Sequence, residues 1–353
     1  RSRRKRHAAH PPHPRPGGID HGGVDPDLHP PIGPYQKAAE MTGIESFLVD
    51  FLKLTFLSMV PFVLAGQGTM LSGRTGVFNV AQEGIMLTGA SVGFLVGYLA
   101  HSVFLGAVAA MFVGGLFGLV LAYFTTTLKM DQFVVGLALF FTGLGLSSLL
   151  PKLALGVTLT PPLIPTLPDL SIPLLSKIPF IGPILFNQNI LVYISVLLSV
   201  LLWYMLFRTD LGLRMRSVGE NPKAADSLGI SVNNNRYITS IIGGALIGLA
   251  GAYLPMVYTG TFTDLMTKGR GWLAIALTFF GGWSPIPIFI GSLFFAGVEV
   301  LSYRMQVGGS FIPYQFLIML PYIATIVVMI FTFGKAKVPG FLGQNYDRER
   351  RTL

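Results

Sequence analysis

Hydrophobic residues along this chain form long runs with few polar interruptions. A helix needs about 20 mostly apolar residues to cross a bilayer, and several runs approach or reach that length. They predict membrane-spanning helices at Leu48–Gly66, Gly84–Ala100, Val103–Phe124, Gln132–Leu150, Asn189–Phe207, Tyr237–Tyr258, Pro287–Tyr303 and Gln315–Phe333. The pattern predicts an all-α, polytopic helical membrane protein.

Two further apolar stretches, Gln67–Val80 and Gly271–Trp283, are short and rich in glycine. Basic residues mark cytoplasmic loops, and they cluster at the chain start, after Phe207 and near the chain end, whereas Pro151–Gln188 holds few. Counting both short stretches as broken crossings satisfies this charge distribution. The prediction is about ten crossings with cytoplasmic N- and C-termini. Irregular backbone at membrane depth is buried in protein or lines a cavity, so both short crossings indicate a pathway.

Composition supports a lipid bilayer as the surroundings. Of the 353 residues, 52% are hydrophobic and 12% are charged, against about 25% charged in a soluble protein. The net charge of +9 would suggest nucleic acid for a soluble chain, but here it fits basic loops and tails, so no nucleic acid partner is expected. The absence of cysteine excludes thiol chemistry, and no metal site is predicted.

Changes in composition along the chain divide it into three parts. Residues 1–43 are predicted to be a disordered basic cytoplasmic arm, and residues 335–353 a cytoplasmic tail. Between them, residues 44–334 form the transmembrane domain. Within it, residues 151–188 are an external proline-rich loop, either a docking surface or a passive connection, and residues 208–236 are a cytoplasmic loop.

Four polar residues in and after the first short crossing are candidates for solute contact. Arg74, Asn79, Gln82 and Glu83 would be costly against lipid, so they are expected to face the protein interior or a cavity. A buried hydrogen-bond cluster that holds a broken helix together is the alternative.

Two residues in the second half are candidates as well. Trp272 either anchors a membrane interface or stacks on a planar ligand. Glu299 lies within an apolar run, where a carboxylate is by default a functional residue. Its alternative role is an ion pair with Arg304.

The loop after Phe207 is predicted to contain a short helix, because residues typical of a helix start and a helix end occur in it. Asn221 and Pro222, after Glu220, are typical of a helix start, and Gly229 is typical of a helix end. Such a helix between two spans is either a lever for a cytosolic partner or a solvated loop. The chain lacks a Walker loop and other catalytic motifs, so the sequence predicts no enzyme and no nucleotide hydrolysis through such a loop by this chain.

Three motifs resemble those of a known family. Gly76-Val-Phe-Asn-Val-Ala-Gln-Glu-Gly84, followed by Met86 and Gly89-Ala90, resembles the signature of the ABC permeases that serve branched-chain amino acids, ribose-type sugars and nucleosides. Val218-Gly-Glu-Asn-Pro222 resembles that family's ATPase-coupling loop. Gly269–Ala276 and Gly281–Pro285 look most like the nucleoside or simple-sugar branch, the YufQ-like permeases.

The resemblance implies a multi-pass subunit of the cytoplasmic (inner) membrane that works by alternating access. It implies a heterodimer with a second permease, a cytosolic ABC ATPase that binds ATP and Mg, so that this chain needs no cofactor, and an external substrate-binding lipoprotein. The coupling residues that it implies are Gly219, Glu220, Asn221, Pro222, Ala224, Ala225 and Gly229.

Substrate and energy source remain separate questions at this point. Nucleosides are the expected substrate, with contacts from Asn79, Gln82, Glu83 and Trp272. Ribose-type sugars and branched-chain amino acids are alternatives within the family, the latter because Arg74 or a helix N-terminus could hold a carboxylate. An ion-coupled secondary transporter, with Glu83 and Glu299 as coupling carboxylates, is the alternative from another class.

Overall fold

The computed structural model describes residues 43–156, 161–173, 175–307, 312–332 and 337–347. The predicted basic arm lies outside the described residues except for Gly43, and only residues 337–347 of the predicted tail lie within them. The described α-helices are α1 Gly43–Gly73, α2 Gln82–Leu99, α3 Val103–Ala122, α4 Gln132–Leu155, α5 Ile181–Leu185, α6 Ile190–Arg208, α7 Asp210–Glu220, α8 Pro222–Ser227, α9 Val232–Tyr253, α10 Arg270–Phe280, α11 Pro285–Val307 and α12 Tyr314–Thr332.

Short irregular elements complete the described fold. Turns of π-helix extend α3 to Thr127 and α9 to Thr259. Two strands, β1 Asp169–Ser171 and β2 Asn187–Asn189, pair antiparallel between α4 and α6. The sequence predicted an irregular cap or a short-helix lid in this proline-rich segment, and α5 is a short helix there. The strands were not predicted, since three-residue strands leave no periodic pattern.

Seven described helices are long and apolar enough to cross a membrane. They are α1, α3, α4, α6, α9, α11 and α12, with the π-turn extensions of α3 and α9 included. Helix α2 has 18 residues, is mostly buried and is not among the seven, and α10 has only 11 residues, which is about 16 Å of helix. The chain is therefore a polytopic helical membrane protein, and α10 occupies most of Gly271–Trp283, the stretch that the sequence predicted as a broken crossing.

The structure does not confirm ten crossings, because Leu48–Gly66 and Gln67–Gly73 form one continuous helix. The glycines that suggested a break serve helix packing instead. A Cβ on Gly68 would overlap the backbone of Gly243 in α9, and one on Gly73 would overlap the ring of Trp283. Small residues at such positions let helices approach closely.

The described helices run between two ends of the molecule. At the hairpin end, which carries β1 and β2, Lys53 near the start of α1 pairs with Asp169 at 2.8 Å. At the other end, which we call the coupling end, Arg74 follows α1 and lies beside Gly219 of α7. The predicted external and cytoplasmic loops therefore lie at opposite ends of α1. The predicted orientation of the N-terminus concerns residues outside those described.

Helix α9 occupies the centre of the fold and packs against α1, α2 and α3. Its glycines allow backbone contact with neighbouring helices: Gly248 lies against Gly89 of α2 and Gly114 of α3. The Arg236 side chain is fully buried near its start and the Tyr253 side chain near its end. This packing fixes the positions of the connections that carry the polar residues.

Candidate solute pathway and coupling surface

Glu83, a predicted pathway residue, caps the N-terminus of α10. Its Oε1 accepts hydrogen bonds from Thr267 Oγ1 at 2.5 Å and from Gly269 N at 2.9 Å. Its Oε2 accepts one from Gly271 N at 2.6 Å. A carboxylate at a helix N-terminus satisfies free N–H groups and complements the helix dipole. Glu83 thus positions α10, and its contact with solute stays a prediction.

Gln82 and Asn79 belong to the same buried connection. Gln82 Oε1 accepts a hydrogen bond from Thr69 Oγ1 at 2.5 Å, and Asn79 Oδ1 accepts one from Ala81 N at 3.0 Å. These contacts form the hydrogen-bond cluster that the sequence analysis left as an alternative. Gln82 Nε2 has no acceptor within the described part of the chain.

Arg74 holds the opposite end of α10. Its Nε donates to Trp283 O at 2.6 Å and its Nη2 to Gly282 O at 3.4 Å, just beyond the C-terminus of that helix. Burial lowers the pKa of the Arg74 guanidinium, an effect that nearby Glu220 opposes. Residues 74–83 therefore hold α10 at both ends, a cation at its C-terminus and an anion at its N-terminus, as the helix dipole favours.

Trp272 lies on the outer surface of the described fold. It is 37% exposed, and its ring meets Phe140 edge-to-face with centroids 5.3 Å apart. Its roles as interface anchor or stacking residue stay predictions.

Glu299 forms a buried ion pair with Arg270, not with Arg304. Both partners are 8% exposed, and Tyr303 Oη donates to Glu299 Oε1 at 3.3 Å. Arg304 instead lies 3.9 Å from Asp50. The sequence analysis did not propose Arg270, although charges at membrane depth usually pair with one another.

A cavity of about 820 Å³ opens near the hairpin end. Of the described residues, those lining it are Phe47, Leu54, Leu57, Ser58, Leu254, Tyr258, Thr259, Thr263, Met266, Lys268, Arg270, Val300, Tyr303, Arg304 and Val307. The six predicted pathway residues are not among these. Glu299 lines a neighbouring cavity of about 70 Å³, which also touches Lys268, Arg270 and Tyr303. These three side chains line both cavities.

The loop after α6 contains the predicted short helix. Asn221 Oδ1 accepts a hydrogen bond from Ala224 N at 3.0 Å, Pro222 is the first residue of α8, and Gly229 follows with φ of 81°. These are the start and end signals that the sequence carried. The short helix is confirmed, and it spans Pro222–Ser227.

Residues 339–347, which we call the C-terminal strap, pack on this loop. Phe341 N donates to Gly219 O at 2.8 Å, and Gly340 N donates to Glu220 Oε2 at 3.1 Å. Tyr346 Oη donates to Asp226 Oδ2 at 3.0 Å. The segment that the sequence presented as a tail is thus an integrated part of the coupling end.

The C-terminal strap also reaches three other elements. Gly343 N donates to Gly76 O at 3.1 Å, and Asp347 pairs with Lys129 at 2.9 Å. Arg236 of α9 donates to Gln344 O and to Thr75 O, each at 3.1 Å. The strap joins the α1–α2 connection, the α3–α4 connection, α9 and the α7–α8 loop.

Comparison with known proteins identifies the family. The family model described as the permease component of branched-chain amino acid transport systems matches residues 51–333. The chain belongs to this permease family. It is therefore an ABC transporter permease of the cytoplasmic membrane, a transport subunit and not an enzyme, and the family works with an ATPase and a substrate-binding protein.

Curated relatives cover almost the whole permease. It is 34% identical to a guanosine ABC transporter permease protein of Bacillus subtilis, over 87% of this chain and 99% of that protein. It is 34% identical to a nucleoside ABC transporter permease protein of Lactococcus lactis, over 86% of this chain and 99% of that protein. It is 30% identical to a putative glucose ABC transporter permease protein of Haloferax volcanii, over 86% of this chain and 99% of that protein. No solved structure matches the chain.

The cap of α8 gives a local test of the coupling end in this permease. Replacing Asn221 with alanine removes the acceptor for Ala224 N, which costs about 1 kcal/mol at a helix N-terminus. We expect the α8 amides to exchange with deuterium about fivefold faster, measured by mass spectrometry. Asn234→Ala in α9 is the control and leaves α8 exchange unchanged. Equal exchange in both variants would contradict a capping role for Asn221.

Proposed function

We propose that this permease carries nucleosides into the cytoplasm in an importer energised by ATP hydrolysis. The observation that supports nucleosides is the 34% identity to guanosine and nucleoside permeases over nearly the full chain. Ribose-type sugars are the second candidate, because a putative glucose permease is 30% identical. Branched-chain amino acids, named in the family's description, are the third.

The proposed complex has the composition that the resemblance implies. This chain forms a heterodimer with a second permease, an external lipoprotein delivers the solute, and a cytosolic ATPase binds ATP and Mg. The coupling end faces the cytoplasm, because Arg208, Arg214, Arg216 and Lys223 concentrate there and basic residues favour that side. The hairpin end, with its cavity, faces outside.

The coupling loop provides a physical connection from the ATPase to the pathway. Leu228, directly after α8, is 80% exposed and lies in the loop that we propose contacts the ATPase. Gly219 contacts the backbone of Arg74, and Arg74 holds the end of α10. Movement of α7–α8 is thereby passed to α10, whose first residue, Arg270, lines the cavity. Alternating access follows from displacing α10.

Transport in proteoliposomes tests the coupling role. In a reconstituted complex of both permeases and the ATPase, with the binding lipoprotein supplied, Glu220→Ala and Pro222→Ala are each expected to lower ATP-driven uridine uptake by about tenfold or more, since 1.4 kcal/mol of lost coupling gives that factor. Asn233→Ala at the same end is the matched control. Normal uptake by both variants at normal expression would show that this loop does not couple.

Competition and energy dependence test the substrate and the class. Unlabelled uridine is expected to block uptake of labelled uridine, whereas leucine leaves it unchanged and ribose competes weakly. If no nucleoside is taken up or competes, the nucleoside assignment is wrong. Uptake that survives ATP removal but collapses with an uncoupler would instead show an ion-coupled secondary transporter.

A further inference from the structure

The cavity near the hairpin end combines an apolar wall with a polar inner surface. Its mouth is formed by exposed residues such as Val307, which is 90% exposed, while Arg270 at its inner surface is 8% exposed. A volume of about 820 Å³ lies in the range of small-molecule sites, which are mostly apolar with a few convergent polar groups. The cavity therefore has the size and the character of a ligand site.

Arg270 at the inner surface and Glu299 in the neighbouring cavity each hold a polar atom that the described protein leaves without a partner. Arg270 pairs with Glu299 through Nη2, yet Arg270 Nε has no acceptor and Glu299 Oε2 has no donor among the described residues. A buried polar group without a partner costs free energy. One unused donor and one unused acceptor therefore lie in a single buried ion pair beside the cavity.

Lys268 and Arg304 also line the cavity, but the buried Arg270–Glu299 pair at its inner surface is neutral as a pair and favours an uncharged group there. Glu299 neutralises Arg270, and Tyr303 donates its hydroxyl to the same carboxylate. A carboxylate or phosphate would have to compete with Glu299 for the guanidinium. A hydroxyl or amide group can accept from one partner and donate to the other without separating the ion pair.

We propose that this cavity, together with the neighbouring cavity that Glu299 lines, is a solute site of the permease, in which the Arg270–Glu299 pair hydrogen-bonds an uncharged solute with adjacent donor and acceptor groups, such as a ribose diol or a base edge. The Tyr258 and Tyr303 rings provide apolar surface for the face of a sugar or base. The inference rests on the proposed nucleoside function and adds the residues that recognise the solute.

Single cysteines give a direct test, because the chain has no natural cysteine. Thr263→Cys lines the cavity, and Ser171→Cys at the hairpin end lies outside its lining. In the reconstituted complex with cysteine-free partners, uridine is expected to slow maleimide labelling of Thr263→Cys about fivefold or more and to leave Ser171→Cys unchanged, as occupancy of a ligand site requires. Leucine is expected to protect neither position.

Transport kinetics give the second measurement. Tyr303→Phe removes the hydroxyl that donates to Glu299 and is expected to raise the KM for uridine about fivefold while the maximal rate stays near normal, since the carboxylate proposed to bind the solute loses a donor that positions it. Tyr193→Phe, outside the cavity, is the matched control. Arg270→Gln/Glu299→Gln replaces both charged side chains with neutral amides, leaves no unpaired charge, and is expected to raise the KM further.

The outcomes separate the two proposals. Absence of nucleoside uptake by the wild-type complex overturns the proposed function. Normal wild-type uptake without protection of Thr263→Cys, or with an unchanged KM in Tyr303→Phe, overturns the cavity site alone. Protection by leucine but not by uridine overturns the assignment to uncharged solutes.

Discussion

Replacing Glu83 with alanine is expected to lower the free energy of unfolding of the permease by about 3–5 kcal/mol, because three donors lose their acceptor in a buried site. The donors are Thr267 Oγ1, Gly269 N and Gly271 N. Without the carboxylate, the N-terminus of α10 also loses an anion that complements the helix dipole. Stability is measured by denaturant titration in detergent micelles, and uptake in proteoliposomes is expected to be lost.

Two comparisons make this result specific to the position of the carboxylate. Glu83→Gln keeps one carbonyl oxygen that can accept from Thr267 and Gly269, so we expect about half the loss. Asp50→Ala removes a carboxylate that is 69% exposed, and we expect little change. If Glu83→Ala were as stable as Asp50→Ala, the capping of α10 would not be a source of stability.

Removing the C-terminal strap is expected to lower ATP-driven uptake by more than about tenfold, because its hydrogen bonds contribute about 1 kcal/mol each and a factor of ten needs only 1.4 kcal/mol. Truncation after Val338 removes the contacts to Gly219, Glu220 and Gly76. The ATPase is expected to keep hydrolysing ATP in this complex without matching solute movement. Both activities are measured in the same proteoliposomes.

A second truncation supplies the control for the strap. Ending the chain after Asp347 removes residues 348–353 and keeps every contact described for the strap, so uptake is expected to stay near the wild-type level. If both truncations transport equally well, the strap has no role in coupling. If the longer deletion abolishes ATP hydrolysis and uptake together, the strap serves assembly with the ATPase instead.

The parts of the fold that the sequence predicted well depend on residues close together in the chain. The start and end of α8 were recognised because Asn221, Pro222 and Gly229 act on their immediate neighbours. Most apolar runs were recognised because hydropathy reports burial in lipid or protein directly. The predicted break in the helix at Gln67 was wrong. Gly68 allows close packing against the α9 backbone and does not interrupt its own helix.

The site was harder to predict, because its contacts join residues far apart in the chain. Glu83, Gln82 and Asn79 were recognised as buried polar residues, but the sequence did not show that α10 and Thr69 supply their partners. Arg270 was overlooked beside Glu299 because 29 residues separate them. The strap has no long apolar run, so the sequence analysis predicted a tail there. Its backbone is nevertheless hydrogen-bonded to the coupling loop.

The contacts of Arg74 and Glu83 with the two ends of α10 affect how the protein is synthesised and inserted. Arg74 and Glu83 are synthesised long before the helix ends that they bind: Gly271 follows Glu83 by 188 residues, and Gly282 follows Arg74 by 208. At ribosomal rates of about 5–20 residues per second, this gap lasts roughly 10–40 s. Throughout that interval the newly inserted α1–α2 pair carries a cation and an anion without their final ligands. Biogenesis therefore requires water, lipid headgroups or the insertion machinery to shelter both charges until α10 emerges.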